Sequence, residues 1–332
     1  MPEMKTSTEV LRLLLNADKP RSGQEMGELL GLSRAAVGKA VTALRKQGFE
    51  IKAQPRVGYS LVSEPDMILP ARVEARLDPN SLGLPYFHFE DIDSTNLEAR
   101  RRAEKGVPHG ALLATEYQSK GRGRLERRWI APKGACLMFS LVLRPKLEMS
   151  LVFGLTNLAA LAVCRALEEI TGLEPKIKWP NDLYLSGVKL AGVLTEFASR
   201  AEQVEYVVVG VGLNVNLSRQ DLAEIGSPAT SLLSETGRSW DRARILAAVM
   251  RNMNGLYETF TKGDRRALVA EYEARSWLLG KEVSVRDGDE VKTGLFKGMA
   301  ADGALILKGR TKEMLIRHGD VTVLSVSDKN KP

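Results

Sequence analysis

Four arginines and two glycines crowd one short stretch, Ser119-Lys120-Gly121-Arg122-Gly123-Arg124-Leu125-Glu126-Arg127-Arg128-Trp129. Glycine lets backbone approach a bound group, and guanidinium forks match the oxygens of a phosphate. GxxxxGK[ST] occurs nowhere in the chain, so this is not a Walker-type loop. Taken alone, it reads equally well as a solvated basic loop. A second cluster, Lys178-Trp179-Pro180-Asn181-Asp182, ends one strand and opens a hairpin that returns through Val188-Lys189-Leu190-Ala191-Gly192. Pro180 stops the strand, so Asn181 and Asp182 project from a tight turn, and Gly192 leaves room for a bound group. Alone, Pro-Asn-Asp is a common turn and a strand lysine points to solvent. The third stretch, Val207 to Asn216, carries Gly210, Gly212 and Asn214, whose amide can read an adenine edge. It lacks the third glycine and the following helix of a dinucleotide fingerprint, which excludes a Rossmann reading. Alone, it is a strand ending in a glycine turn.

These clusters need a scaffold, and the chain supplies three kinds of segment. From about Pro65 to Ser276, strands are expected at Leu112–Tyr117, Cys136–Leu143, Ile177–Trp179, Val188–Phe197 and Val204–Val209. Helices are expected at Asn96–Lys105, Leu151–Ile170, Arg242–Thr261 and Arg265–Arg275. Hairpin-length links such as Ser186-Gly187 predict a mixed, largely antiparallel sheet. The last part of the chain alternates in short segments punctuated by Asp287-Gly288, Asp302-Gly303 and His318-Gly319, the pattern of a small β-barrel. The whole reads as an α+β multidomain protein: residues 1–63, a catalytic domain over 64–275, and a small barrel and tail over 276–332.

The first segment has helix-turn-helix spacing. Ser22, with Glu25 three residues on, predicts a capping box at the start of one helix; Ser33 caps the next, from Arg34 to Gln47. Ser33, Arg34, Lys39, Thr42 and Arg45 then lie on the exposed side of a recognition helix. Two short strands around Gln54-Pro55-Arg56-Val57-Gly58 form a wing that brings Arg56 near a phosphate backbone. A packing module with a charged face is the bland alternative. The wing favours a winged helix-turn-helix that binds DNA, and one such module makes too few phosphate contacts to bind tightly without a second subunit.

Composition bounds the rest. The 332 residues are 44% hydrophobic and 27% charged, which excludes wholesale disorder. Lys plus Arg number 48 against 41 Asp plus Glu, and the net charge of +7 suits a polyanion without requiring one. Cys136 and Cys164 are too few for a disulfide framework or a cysteine zinc site. The N-terminus lacks a signal-peptide core, and the apolar run Leu151 to Leu167 is broken by Thr156, Asn157 and Arg165. A soluble, cytoplasmic protein with no membrane contact is the expectation.

GRGR…W, KWPND…KLAG and GxGxN, in that order, resemble the biotin protein ligases. With a winged helix-turn-helix in front, nearly the whole chain resembles the bifunctional biotin operon repressors of the BirA type. KWPND with KLAG at this spacing is highly specific, and the GRGR loop moderately so. The resemblance implies a class II synthetase-like catalytic domain, an SH3-like C-terminal barrel, and biotin and ATP as substrates. Biotin would be activated to biotinyl-5′-AMP and passed to a lysine of a biotin carboxyl carrier protein. By the same resemblance Arg122 and Lys189 offset the repulsion between carboxylate and α-phosphate, and Asp182 assists the attacking amine. Ser94-Thr95-Asn96 and Gln118 hold the ureido end of biotin, Trp129 covers its rings, and Gly123 and Gly192 line its site. Arg124 and Arg127 hold the adenylate, with Asn214 facing adenine. Mg²⁺ accompanies ATP and is left to the phosphates, so no protein metal site is expected. Operator DNA and a homodimer formed with the adenylate complete the implied partners.

Two points stay open in the sequence. Thr95 and Glu98 also satisfy a capping box, which competes with the biotin role. Leu125-Glu126 stands where the repressor loop commonly reads Arg-Gly, which stiffens the loop and lowers its charge. Two rival functions remain, a lipoate-type ligase on the same fold and a ligand-sensing regulator without catalysis. Lys189, Asp182 and Arg122 together weigh against the second, because sensing needs no acyl transfer.

Overall fold

Serine hydroxyls start the helices of the N-terminal domain. The computed structural model describes residues 2–125, 127–287, 289–309, 311–317 and 319–324. It opens with α1 (Pro2–Leu15), α2 (Gly23–Leu30) and α3 (Arg34–Lys46), followed by the wing strands β1 (Glu50–Gln54) and β2 (Gly58–Ser63). Ser22 and Ser33 accept the N–H groups of Glu25 and Ala36 at 3.0 and 3.1 Å. The expected return bond from Glu25 is replaced by an ion pair with Arg21 at 3.0 Å. Val10, Leu11, Met26, Val37, Val41 and Leu44 fill the space between the helices.

The segment after residue 63 is a shared element rather than a slack linker. In α4 (Pro70–Glu74) and its flanks, Ala71 and Ala75 pack into the N-terminal core, while Ile68, Val73 and Leu77 pack into the central one. Arg12 of α1 closes the C-terminal end of α4, donating to the carbonyls of Glu74 at 2.8 Å and of Ala75 and Leu77 at 3.2 Å. Arg72, nearly buried, pairs with Glu64 at 3.0 Å and with Asp241 at 2.6 Å.

The central domain runs β3 (Tyr86–Phe89), α5 (Thr95–Glu104), β4 (Leu112–Thr115), β5 (Cys136–Leu143) and α6 (Val152–Thr171). The strands β6 (Lys176–Lys178), β7 (Asp182–Leu185), β8 (Val188–Arg200) and β9 (Gln203–Asn214) follow. After them come α7 (Arg219–Glu224), α8 (Leu232–Thr236), α9 (Arg242–Thr261) and α10 (Arg266–Arg275). Among the described residues the sheet order is β3-β4-β5-β9-β8-β7-β6, with β3 and β4 parallel and every other pair antiparallel. The expected strand at Val204–Val209 was placed too short. It continues to Asn214 with no glycine turn, because Gly210, Val211 and Gly212 keep their pairing to β5 and β8.

Period-two alternation sorts the faces of this sheet. Val207, Val209 and Val211 of β9, like Leu137, Phe139 and Leu141 of β5, face the core built with α6 and α9. Tyr206 and Val208 turn the other way, onto Ala99 and Ala103 of α5. The next residues on that second face are Gly210, Gly212 and Asn214, where side-chain packing stops and a cavity begins. Met149–Thr171, around α6, is long and apolar enough to cross a membrane, yet 78% of its most apolar window is buried inside the protein as a core helix.

The C-terminal domain comprises β10 (Glu282–Asp287), β11 (Glu290–Met299), β12 (Leu305–Lys308), β13 (Glu313–Ile316) and β14 (Asp320–Val323). They form an antiparallel sheet in the order β13-β12-β11-β10-β14 around Leu278, Val283, Val285, Phe296, Leu305 and Leu307. Trp179, from the central domain, is fully buried in this core and donates its indole N–H to the Gly303 carbonyl at 3.1 Å. Gly288 and His318, expected turn residues, lie outside the described residues.

Candidate active site

The cavity measures about 680 Å³ and opens on the α5 face of the sheet. The N-terminal turn of α5 forms one wall. Ser94 stands at the N-cap position without capping through its side chain, so the helix begins at Thr95 rather than after it. The Thr95–Glu98 capping box therefore does not form. Glu98 pairs instead with Arg101 at 2.8 Å and Arg102 at 2.7 Å. The Thr95 N–H and hydroxyl both donate to Gln118 Oε1, at 2.7 and 3.1 Å. Asn96 Oδ1 accepts from Ser140 at 2.6 Å, and its Nδ2 donates to Glu196 at 2.8 Å and to the Leu194 carbonyl at 3.2 Å.

Gly210 and Gly212 are obligatory here for lack of space. A Cβ on Gly210 would stand 1.9 Å from Asn96 Oδ1, and one on Gly212 would stand 2.6 Å from the Trp129 ring. The indole of Trp129 thus lies directly on the strand, with its N–H buried and without a hydrogen-bond partner among the described residues. A buried donor left unpaired is costly, and a ligand acceptor in the cavity would relieve it.

The arginine loop is a small hairpin. Gly123 N–H donates to the Arg127 carbonyl at 2.7 Å, Arg127 N–H to the Arg124 carbonyl at 3.1 Å, and Trp129 N–H to the Gly121 carbonyl at 2.9 Å. Leu125 sits at its exposed tip with φ of 52°, a left-handed conformation uncommon for a residue with a branched side chain. Glu126 lies outside the described residues.

Four of the cations lining the cavity, Arg122, Arg124, Arg127 and Lys189, meet a carboxylate from another element. Arg122 lies 3.5 Å from Glu196 of β8, and Lys189 lies 2.7 Å from Asp182 of β7. Arg124 and Arg127 lie 3.6 and 2.8 Å from Asp320 of the C-terminal domain. An arriving anion competes with these carboxylates for cations that are already held in place.

The structure gathers every expected small-molecule residue around this cavity: Ser94, Thr95, Asn96 and Gln118; Arg122, Gly123, Arg124, Arg127 and Trp129; Asp182, Lys189, Gly192 and Asn214. Asn214 lines the cavity and is also held by the protein. Its Nδ2 donates to the Thr230 carbonyl at 2.9 Å and its Oδ1 faces Cys136 Sγ, so the amide also holds the segment before α8. Sequence reasoning missed Glu196, Asp320 and the packing role of Trp179, because all three act across elements far apart in the chain. For Glu196 the signal was legible: it shares the cavity face of β8 with Gly192 and Leu194, at period two.

Behind the cavity lies a buried ion network. Glu116, almost fully buried, accepts from Ile68 N–H at 2.8 Å and Arg242 at 2.7 Å, with His88 at 3.3 Å. Burial alone would raise its pKa, but the His88 contact, the Arg242 charge and the Ile68 N–H together hold it down at about 2. Glu116 precedes the cavity-lining Gln118 by two residues, and Arg242 also donates to the Asp66 carbonyl at 3.1 Å, beside α4. Far from this site, Ser33, Arg34, Lys39, Thr42 and Arg56 are exposed as expected for a DNA-facing surface. Arg45 is exposed too, and its Nε and Nη2 donate to the Ile51 carbonyl at 3.0 and 2.6 Å, tying α3 to the wing.

Comparison with known proteins agrees with each domain. Residues 88–214 match the biotin/lipoate A/B protein ligase family, 6–60 an HTH domain, and 278–321 the biotin protein ligase C-terminal domain. The chain is similar to the bifunctional ligase/repressor BirA of Bacillus subtilis (strain 168), 32% identical over 288 residues that span 86% of this chain and 89% of that one. It is also 32% identical to the Escherichia coli (strain K12) bifunctional ligase/repressor BirA, over 92% of this chain and 94% of that one. Among solved structures it resembles the biotin protein ligase from Aquifex aeolicus in complex with biotin and ATP, with a TM-score of 0.62 and 32% identity, covering 72% of this chain and 98% of that one. The chain belongs to the biotin protein ligase family, in the form that carries a helix-turn-helix domain ahead of the catalytic domain.

Proposed function

We propose that the cavity joins biotin to a protein in two steps. A biotin carboxylate oxygen attacks the α-phosphorus of ATP, the bond to the bridging oxygen breaks, and pyrophosphate leaves. A neutral lysine amine of a biotin carboxyl carrier protein then attacks the anhydride carbonyl, and AMP leaves. Two like charges 4 Å apart repel by roughly 4 kcal/mol at an effective dielectric near 20. The observation that carries the reading is the gathering of Arg122, Arg124 and Lys189, from two separate turns, around one cavity beside the α5 N-terminus. Those cations offset the repulsion in the approach of carboxylate to phosphate.

Asp182 has the position to serve the second step. When Lys189 turns to the ligand, the Asp182 carboxylate that it held at 2.7 Å is released to accept a proton from the incoming ammonium. Ser94, Thr95 and Gln118 present polar groups suited to a ureido ring, and Trp129 closes over it. Among the described residues no three Asp, Glu, His or Cys side chains gather to hold a metal ion. The Mg²⁺ that accompanies ATP would be held chiefly by its phosphates, and no step is routed through it.

The N-terminal domain makes the same chain a biotin-responsive repressor. Arg34 and Lys39 on α3 face outward, with Arg56 at the tip of the wing. A dimer formed with the adenylate would place two such helices on two half-sites of an operator. Clamping of α4 by Arg12 and Arg72 supports transmission from the ligand site to the DNA-binding domain. Incubation with ATP and either biotin or lipoate, with pyrophosphate release as the readout, tests the first step: biotin-dependent release supports it, and lipoate-dependent or absent release contradicts it.

A further inference from the structure

Asp320 is the cavity carboxylate supplied by the C-terminal domain, and it meets two arginines at once. Its Oδ2 lies 2.8 Å from Arg127 Nη2 and its Oδ1 lies 3.6 Å from Arg124 Nη1. The hairpin bond from Arg127 N–H to the Arg124 carbonyl sets these two side chains on one carboxylate. The neighbouring Gly319 carbonyl accepts from Arg124 Nη2 at 3.3 Å. Asp320 itself is fixed at the start of β14, paired in register with Arg286 of β10. The arginine loop and the C-terminal domain are thus bridged over the cavity by charge.

We propose that Asp320 is an exchange partner for the polyphosphate of ATP. Its carboxylate holds Arg124 and Arg127 in place while no polyanion is bound, yields them to phosphate oxygens on binding, and takes them back as pyrophosphate leaves. The role rests on the ligase reading above. Exposure decides between a lock and an exchange. The Arg127 side chain is 70% exposed, and those of Arg124 and Asp320 are 27% and 32% exposed. Ion pairs this open to water are weak enough to swap partners. Phosphate offers more charge and more acceptor oxygens than one carboxylate, so it wins when present. Asp320 is therefore a positioning residue that lowers affinity for the leaving group and hastens its departure. Arg122 and Lys189 meet other carboxylates, so the effect is confined to the nucleotide side.

The test titrates inorganic pyrophosphate, and separately ATP, into full-length wild type, Asp320→Asn and Asp320→Glu by calorimetry. Biotin affinity and ligase turnover are measured alongside. Loss of the competing carboxylate should tighten pyrophosphate binding about fivefold in Asp320→Asn, with biotin affinity within about twofold of wild type. Asp320→Glu should restore the wild-type value, and the Asn effect should shrink as salt rises. Unchanged or weaker pyrophosphate binding in a folded Asp320→Asn overturns the proposal, as does loss of turnover with no change in binding. Asp320→Ser must behave as Asp320→Asn, which covers the case in which one substitution fails to fold. Wild type that releases no pyrophosphate from ATP and biotin would overturn the ligase reading, while the calorimetry would still decide the role of Asp320.

Discussion

Replacing Gly210 with alanine tests the idea that the glycines of β9 are demanded by the α5 N-terminus lying against them. The new Cβ would stand 1.9 Å from Asn96 Oδ1 and 2.7 Å from its Cγ. Carbon and oxygen rest at roughly 3.3–3.6 Å, so one group must move by about 1.5 Å. The strand cannot retreat, because Gly210 pairs with Ser140 of β5 on one side and Leu194 of β8 on the other. Asn96 must leave, giving up bonds with Ser140, Glu196 and the Leu194 carbonyl. Two or three partly buried hydrogen bonds at about 1 kcal/mol each, with overpacking added, give a loss of about 2–4 kcal/mol. Urea unfolding reads this as a lower midpoint at unchanged slope, and the displaced α5 turn should weaken biotin binding. Asn96→Ala in the same chain removes the obstacle, so the double variant should be more stable than the sum of the single losses predicts. A loss below about 0.5 kcal/mol in Gly210→Ala, or strict additivity in the double variant, would refute the reasoning.

Three other outcomes follow from the same structure. Glu116 titrates at about 2 in the fold, below its ordinary 4.5, so its stabilisation is complete above that ordinary value and is lost as pH falls towards 2. The loss amounts to roughly 3 kcal/mol, and Glu116→Gln should flatten this part of the stability–pH curve; parallel curves would contradict it. Arg34→Ala should weaken operator binding and leave ligation unchanged, checked by DNA titration beside an activity assay; equal loss of both would mean a misfolded protein. Trp179→Ala empties a fully buried site in the C-terminal core and should cost about 3–5 kcal/mol of stability, with calorimetric melting as the check.

Local patterns carried most of the fold. Cys136–Leu143 and Arg242–Thr261 were read to the residue, because a strand apolar but for Ser140 and a helix opened by Asp241 have sharp local edges. The end of β9 was misread since glycine is a turn signal by propensity, whereas Gly210 and Gly212 make room for Asn96 and Trp129, far away in the chain. Thr95 was ambiguous for the same reason: a capping box and a cavity-lining hydroxyl share one sequence, and in the structure Thr95 is the first helical residue and bonds Gln118 instead of capping. Cations of the site were legible from their clustering, and Asp182 from its turn, but the pairing of Arg124 and Arg127 with Asp320 was not. Asp320 looks like an ordinary surface acid until the fold brings it to Arg124 and Arg127, whereas Glu196, beside Arg122, lies at period two from Gly192 on β8. The clamped α4 was equally hidden, because Arg12 recognises backbone carbonyls, which leave no trace in residue type.

The account stands most directly on the rate at which Lys189→Ala releases pyrophosphate from ATP and biotin, measured beside wild type at saturating substrates. Removing a preorganised cation from the reacting oxygens should slow release by about a hundredfold or more. The melting temperature should hold, since the Lys189 side chain is 35% exposed and lies outside the core. A folded variant that turns over at the wild-type rate would contradict the claim that Lys189 helps offset the charge repulsion between carboxylate and phosphate.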